Sequence, residues 1–105
     1  MFFSEIDNTL HCTFSDRLDG HVCSSLEQEL LRRIAEFRNL YENVRIIFDL
    51  DEVVYVSSAF LRICLMQLRA FGKDNFIVTS VAEEIYNVFY VSGFAKIMNV
   101  VQKDI

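Results

Sequence analysis

Between Val44 and Phe71 the chain reads VRIIFDLDEVVYVSSAFLRICLMQLRAF, and few folds can hold such a run. Val44, Ile46, Ile47 and Phe48 form a near-continuous apolar stretch, as expected of a central strand covered on both sides. The acidic turn Asp49-Leu50-Asp51-Glu52 ends it, and a second short apolar piece covers Val53 to Val56. Ser57-Ser58 then leads directly into a helical pattern. Leu61, Cys64, Leu65, Leu68 and Phe71 share one face, Arg62, Gln67 and Arg69 the other, and Gly72 stops the helix. Two hydroxyl residues at a helix mouth are first a capping device, because a Ser oxygen accepts from the orphan N–H groups of the first turn. Added negative charge is also welcome there, from those same N–H groups and the helix dipole.

The flanking segments repeat the alternation of strand and helix. Phe2, Ser4 and Ile6 alternate with Phe3 and Glu5, Asp7-Asn8 supplies a tight turn, and Leu10, Cys12 and Phe14 alternate again. This predicts an antiparallel edge pair. Ser15 to Gly20 reads as a polar loop. Cys23, Leu26, Leu30, Ile34 and Phe37 then recur at helical spacing, from a start between His21 and Ser24 to an end near Arg38–Asn43. Phe76 to Thr79 is a short buried strand, and Ser80 with Glu83 has capping-box spacing for a helix that buries Ile85, Val88 and Phe89. Ser92-Gly93 breaks that helix at about Val91, Ile97 to Val101 is a last strand, and Lys103 to Ile105 is expected to fray. The order β-β-α-β-α-β-α-β predicts one α/β domain over residues 1–105. Its sheet is mixed and mostly parallel, with four to five strands and three to four helices.

Composition narrows the function. With 105 residues, 52% of them hydrophobic and 24% charged, the chain is one folded domain. A formal net charge of -5, with Arg32, Arg33, Arg38, Arg62, Arg69 and Lys73 scattered rather than clustered, argues against a nucleic-acid surface. No apolar run reaches the ~20 residues of a membrane span. Met1-Phe2-Phe3-Ser4-Glu5 lacks the basic and apolar regions of a signal peptide, so a cytoplasmic location is expected without membrane insertion. Cys12, Cys23 and Cys64 are odd in number and sit at patterned apolar positions, which suits buried reduced thiols. A metal site from His11, Cys12, His21 and Cys23 is disfavoured, because adjacent strand residues face opposite ways and no CxxC occurs.

Catalysis is poorly provided for. Ser57 and Ser58 do not sit in a G-x-S-x-G elbow, since Val56 and Phe60 stand where glycine is needed. Only His11 and His21 offer a neutral-pH base, and both lie in the N-terminal edge region. Asp49, Asp51 and Glu52 lack the glycine and the further oxygen ligands of a cation loop, so they read as a solvated acidic turn facing a partner. No proline and three glycines leave no Gly-rich phosphate cradle. The expectation is a binding module with no cofactor, no metal and no enzymatic activity.

Asp49-Leu50, Val54-Tyr55-Val56-Ser57-Ser58-Ala59 and Leu61-Arg62 together resemble the signature of STAS domains, the fold of bacterial anti-sigma factor antagonists. Phe76-Ile77-Val78, Val91-Ser92-Gly93-Phe94 and Ile97 resemble that family's C-terminal half, and Arg17-Leu18-Asp19 its first helix entry. The likeness runs from about Leu10 to Val101. It implies a transcription-regulating phosphoprotein: a Ser at the mouth of the helix is phosphorylated by a partner anti-sigma factor that is a Ser kinase. The unmodified form sequesters that kinase, and a metal-dependent Ser phosphatase resets the switch. In the family pattern Asp-Ser-Ser-Gly the first Ser is modified. Aligned on Leu61, that residue is Ser58, while Ser57 replaces the Asp, Ala59 the second Ser and Phe60 the Gly.

Ser58 is thus the first candidate phosphoacceptor and Ser57 the second. Asp19, Asp49, Asp51, Ser57, Phe60 and Arg62 are the expected partner contacts, clustered near the helix mouth. Phe60 reads equally as an exposed aromatic anchor or as core packing, and the two serines also suit capping alone. The alternative function is a STAS-like regulatory subunit of a phospholipid-transport ABC system, with an ATPase partner and no modification.

Overall fold

The structure, a computed structural model, describes residues 1–104. The N-terminal pair forms as expected: β1 (Phe2–Ile6) and β2 (Thr9–Leu18) run antiparallel across a turn in which Asp7 takes φ 55°. Aspartate tolerates that left-handed conformation better than most residues. There follow α1 (Gly20–Leu40), β3 (Arg45–Val56), α2 (Ser58–Phe71), β4 (Phe76–Val81), α3 (Glu83–Val91), the single turn α4 (Phe94–Ile97) and β5 (Asn99–Gln102). The five strands lie in the order β1-β2-β3-β4-β5, and all pairs after the first are parallel. The mixed, mostly parallel α/β sheet expected from the sequence is the one observed.

That consecutive order decides the layering. Each parallel connection steps one strand in the same direction, and twisted strands make such crossovers right-handed. The helices α1, α2 and α3 therefore all land on one face of the sheet. One hydrophobic core lies between the layers. The sheet supplies Leu10, Cys12, Phe14, Ile46, Phe48, Phe76 and Val78, and the helices supply Leu30, Phe37, Phe60, Ile63, Cys64 and Phe89, all 0–1% exposed. Four phenylalanines form its centre. Phe14 meets Phe48 and Phe60 edge-on at 5.0 and 5.2 Å between centroids, and Phe48 meets Phe76 at 5.0 Å. The opposite face, carrying His11, Thr13, Ile47, Asp49, Ile77 and Thr79, is only half-buried, and none of these residues belongs to the core. Ile47 is thus not covered on both sides as a central strand residue was expected to be.

Several boundaries differ from expectation for physical reasons. Asp49–Glu52 is not a turn: β3 runs unbroken through it, with Asp49 on the open face where a carboxylate stays hydrated. Ser15–Leu18 is strand rather than loop, paired to Glu52–Val56 across two register shifts. Ser80 does not cap α3. It sits within β4 at φ 57°, and Ala82 precedes the helix without a side-chain cap, while Glu83 and Glu84 face the positive end of the dipole. Val88 is 39% exposed and Gln67 buried, the reverse of their expected faces. Lys103 is held rather than frayed, its N–H donating to the Val81 carbonyl at 3.0 Å. Ile105 lies outside the described residues.

His11 faces the open side and Cys12 the core, as strand alternation requires. Burial pushes the Cys12 thiol up to about 12, with Arg33 pulling slightly the other way. Burial likewise raises Cys64 well above its usual value. The folded state disfavours the thiolate, so this stability is complete below the unfolded pKa near 9.0 and is lost as pH climbs towards 12. Urea midpoints are therefore expected to hold level from about pH 6 to 8.5 and to fall steadily above about 9. At pH 8 all three thiols should resist a chromogenic disulfide reagent until urea is added. Fast native labelling of Cys12 or Cys64 would contradict this burial.

Candidate functional site

The ends of β2 and β3 lie side by side, Leu18 opposite Val56, and each strand turns at once into a helix. Asp19 caps α1, its Oδ1 accepting from the Val22 N–H at 2.9 Å. Ser57 caps α2, its Oγ accepting from the Phe60 N–H at 3.4 Å. The same hydroxyl donates to the Leu18 carbonyl at 2.8 Å, and the Ser57 N–H donates to that carbonyl at 3.0 Å. Leu18 also takes the Cys23 thiol at 3.7 Å. Burial raises the Cys23 thiol, and a hydrogen bond with Ser57 draws it partly back. Ser57 is half-buried and joins the two strand-to-helix corners into one junction.

Ser58 is placed differently. It is the first residue of α2, and it is exposed. No acidic residue occupies the first turn of α2, so that turn brings no carboxylate of its own to the positive end of the dipole beside Ser58. Around this mouth Arg62 reaches from α2 to Glu27 of α1 at 3.1 Å, with its side chain 57% exposed. Arg17 stacks its guanidinium over the Tyr55 ring at 4.2 Å on the paired strand ends, and Val54 beside it is 71% exposed.

The expected contact residues do not all meet here. Asp19, Ser57 and Ser58 come together, and Arg62 lies one turn along α2. Asp49 and Asp51 sit well back along β3, roughly 20 Å from the mouth at ~3.3 Å per strand residue. They have their own partners. Asp49 Oδ2 lies 3.0 Å from His11 Nε2, and the Asp51 carboxylate 3.5 Å from Lys103 Nζ. Phe60 does not reach the surface: it is fully buried against Phe14 and Phe48, so it neither anchors a partner nor crowds the hydroxyl. Arg17, Val54 and Tyr55 carry part of the resemblance but were not among the contacts expected from the sequence. An unbroken Val53–Val56 run signals burial, and only the two-strand pairing there shows that half of it stays exposed.

A Ser57→Ala change removes both the cap and the tie to Leu18, and is expected to cost about 1–2 kcal/mol in urea unfolding. Ser58→Ala should stay within ~0.5 kcal/mol of wild type. Equal effects at the two positions would contradict this division of labour. Among the described residues no group of three or more His, Cys, Asp or Glu side chains is arranged to hold a metal ion, and no helix is long and apolar enough to cross a membrane.

Neither a scan against protein-family models nor a search of curated proteins finds a match to this sequence. Solved structures do match: one is a crystal structure assigned as a candidate anti-sigma factor antagonist from Thermotoga maritima. It superposes with a TM-score of 0.77 at 17% identity, over 95% of this chain and 84% of that one. At that identity the shared property is the fold, a STAS-type mixed α/β sheet.

Proposed function

We propose that this protein is an anti-sigma factor antagonist: a cytoplasmic, non-catalytic binding module whose grip on its partner is switched by phosphorylation of Ser58. One observation carries the reading. Of the two hydroxyls at the mouth of α2, Ser57 is committed to the junction and Ser58 is exposed at the first helical position. The fold shared with a candidate antagonist supports the same assignment.

The chemistry follows from the placement. A kinase can reach the Ser58 Oγ without unfolding the corner, and the phosphate brings about -1.5 to -2 charges to a helix N-terminus that tolerates them. The partner would be an anti-sigma factor with Ser kinase activity, and a metal-dependent phosphatase would restore the hydroxyl. Asp19 at the same corner, Arg62 one turn along α2, and Arg17, Val54 and Tyr55 on the paired strand ends would make up the contact surface, with Arg17 and Arg62 offering the charge-assisted donors. The sequence pattern Ser57-Ser58-Ala59-Phe60 keeps this geometry although it lacks the Asp and Gly of the family, because Ser57 caps as an Asp would and Phe60 turns inward.

The test is a pull-down with each Ser-kinase anti-sigma factor of the source organism, followed by mass spectrometry of the bound fraction incubated with ATP. Phosphate on Ser58, absent in Ser58→Ala, is the expected result. Binding unaffected by modification, or phosphate found elsewhere only, would overturn it.

A further inference from the structure

We infer that the open face of the sheet is the contact between two copies of this chain, related by a two-fold axis running across the strands over Ile47. This rests on the layering, not on Ser58, and holds whether or not Ser58 is modified. All three crossover helices lie on the other face, so this side is left without a covering layer. A parallel sheet is normally covered on both faces. The exposed face is also apolar at its margin, with Phe2 67% and Ile6 70% exposed.

Its pattern is self-complementary about that axis. In a two-fold contact residue i meets j and j meets i. His11 pairs with Ile47 in register, and this row lies at the centre. Arg45 and Asp49 stand two residues either side of Ile47 on the same face of β3, so reversing the strand direction sets each Arg45 opposite an Asp49. The same operation sets Thr9, paired with Arg45, opposite Thr13, paired with Asp49. It sets Ile6, paired with Thr9, opposite Phe2, paired with Thr13. Off the axis, charge meets opposite charge, hydroxyl meets hydroxyl and apolar meets apolar, while on the axis row Ile47 meets Ile47 and His11 meets His11. The patch carries one Arg and one Asp in a chain of net charge -5, so two copies approaching here avoid the repulsion felt elsewhere.

Size sets the strength. Five strands ~4.8 Å apart and three outward residues deep give roughly 400 Å² per copy, against about 800 Å² per partner for a standard interface. The dimer is therefore reversible and forms at high concentration.

Sedimentation velocity from about 10 µM to about 1 mM tests this. Wild type should shift from monomer towards dimer. Arg45→Glu and Asp49→Arg should each weaken association by at least ~10-fold, since each sets like charges face to face. An equimolar mixture of those two variants should dimerise again, because both crossed pairs are then attractive. Ile47→Lys, placing two ammonium groups at the axis, should remain monomeric. Circular dichroism confirms folding of each variant. Should Asp49→Arg fail to fold on losing its His11 partner, Arg45→Glu and Ile47→Lys decide alone. A wild type that stays monomeric throughout overturns the inference, as does one whose dimer survives both Arg45→Glu and Ile47→Lys.

Discussion

A Phe60→Ala variant is expected to lose about 3–5 kcal/mol of unfolding free energy, the usual cost of emptying a buried aromatic site. The ring is fully enclosed, with Phe14 at 5.2 Å and Phe48 at 5.9 Å between centroids. Those neighbours sit on strands β2 and β3, so they cannot collapse into the cavity without moving the sheet. Against the ~5–15 kcal/mol typical of a domain, this is a large share, equivalent to roughly 15–30 °C in melting temperature. Phe60→Leu should cost much less, since most of the volume is kept. The denaturant midpoint should move while the slope stays constant. A Phe60→Ala loss below ~1 kcal/mol would mean that this ring does not join helix α2 to the sheet.

Phosphorylation of Ser58, or its imitation by Ser58→Asp, is expected on the proposed function to lower affinity for the proposed anti-sigma kinase, by roughly three decades in the phosphorylated form. An acidic partner group about 4 Å from the new charge is repelled by ~4 kcal/mol at an effective dielectric near 20. Aspartate carries roughly half to two-thirds of the charge of a phosphate, on a shorter side chain, so it should give a smaller loss of about one to two decades. The stability of Ser58→Asp should equal or slightly exceed that of wild type, because the carboxylate meets the positive end of α2. Raising the salt should shrink the difference, as screening at ~10 Å in 0.1 M salt reaches an exposed residue. Calorimetric titration of both forms into the kinase reads all of this. Equal affinities for the modified and unmodified protein would remove the switch from this residue.

The elements with clean periodicity were legible in the sequence. The helix face of Cys23 to Phe37, that of Leu61 to Phe71 apart from the buried Gln67, the turn at Asp7-Asn8 and the stop at Gly72 all follow from side-chain pattern and backbone preference. The polar strand segments were not legible. Ser15–Leu18 and Glu52–Val56 pair mainly with each other, so their outward residues need not be apolar. Two register shifts then break the alternation that would betray a strand. Asp49 was misplaced for a related reason: an uncovered face accepts a carboxylate in mid-strand, and nothing local to Asp49 announces which faces are covered. Of the site, the capping role of Ser57 was readable from residue type alone, whereas its bond to Leu18 spans a long stretch of chain and depends on strand order. Phe60 was ambiguous because helical spacing beside Leu61 and Cys64 fits either an inward or a flanking position.

The consecutive order of the strands has a consequence for how the molecule is made. Every newly synthesised strand finds its neighbour already present, immediately upstream in the chain, so growth proceeds from one border of the sheet without waiting for distant segments. The ribosome can release the hairpin, then each helix–strand unit, and each docks on arrival. The final strand, only four residues long, closes the series and is the first that thermal fluctuation should peel away.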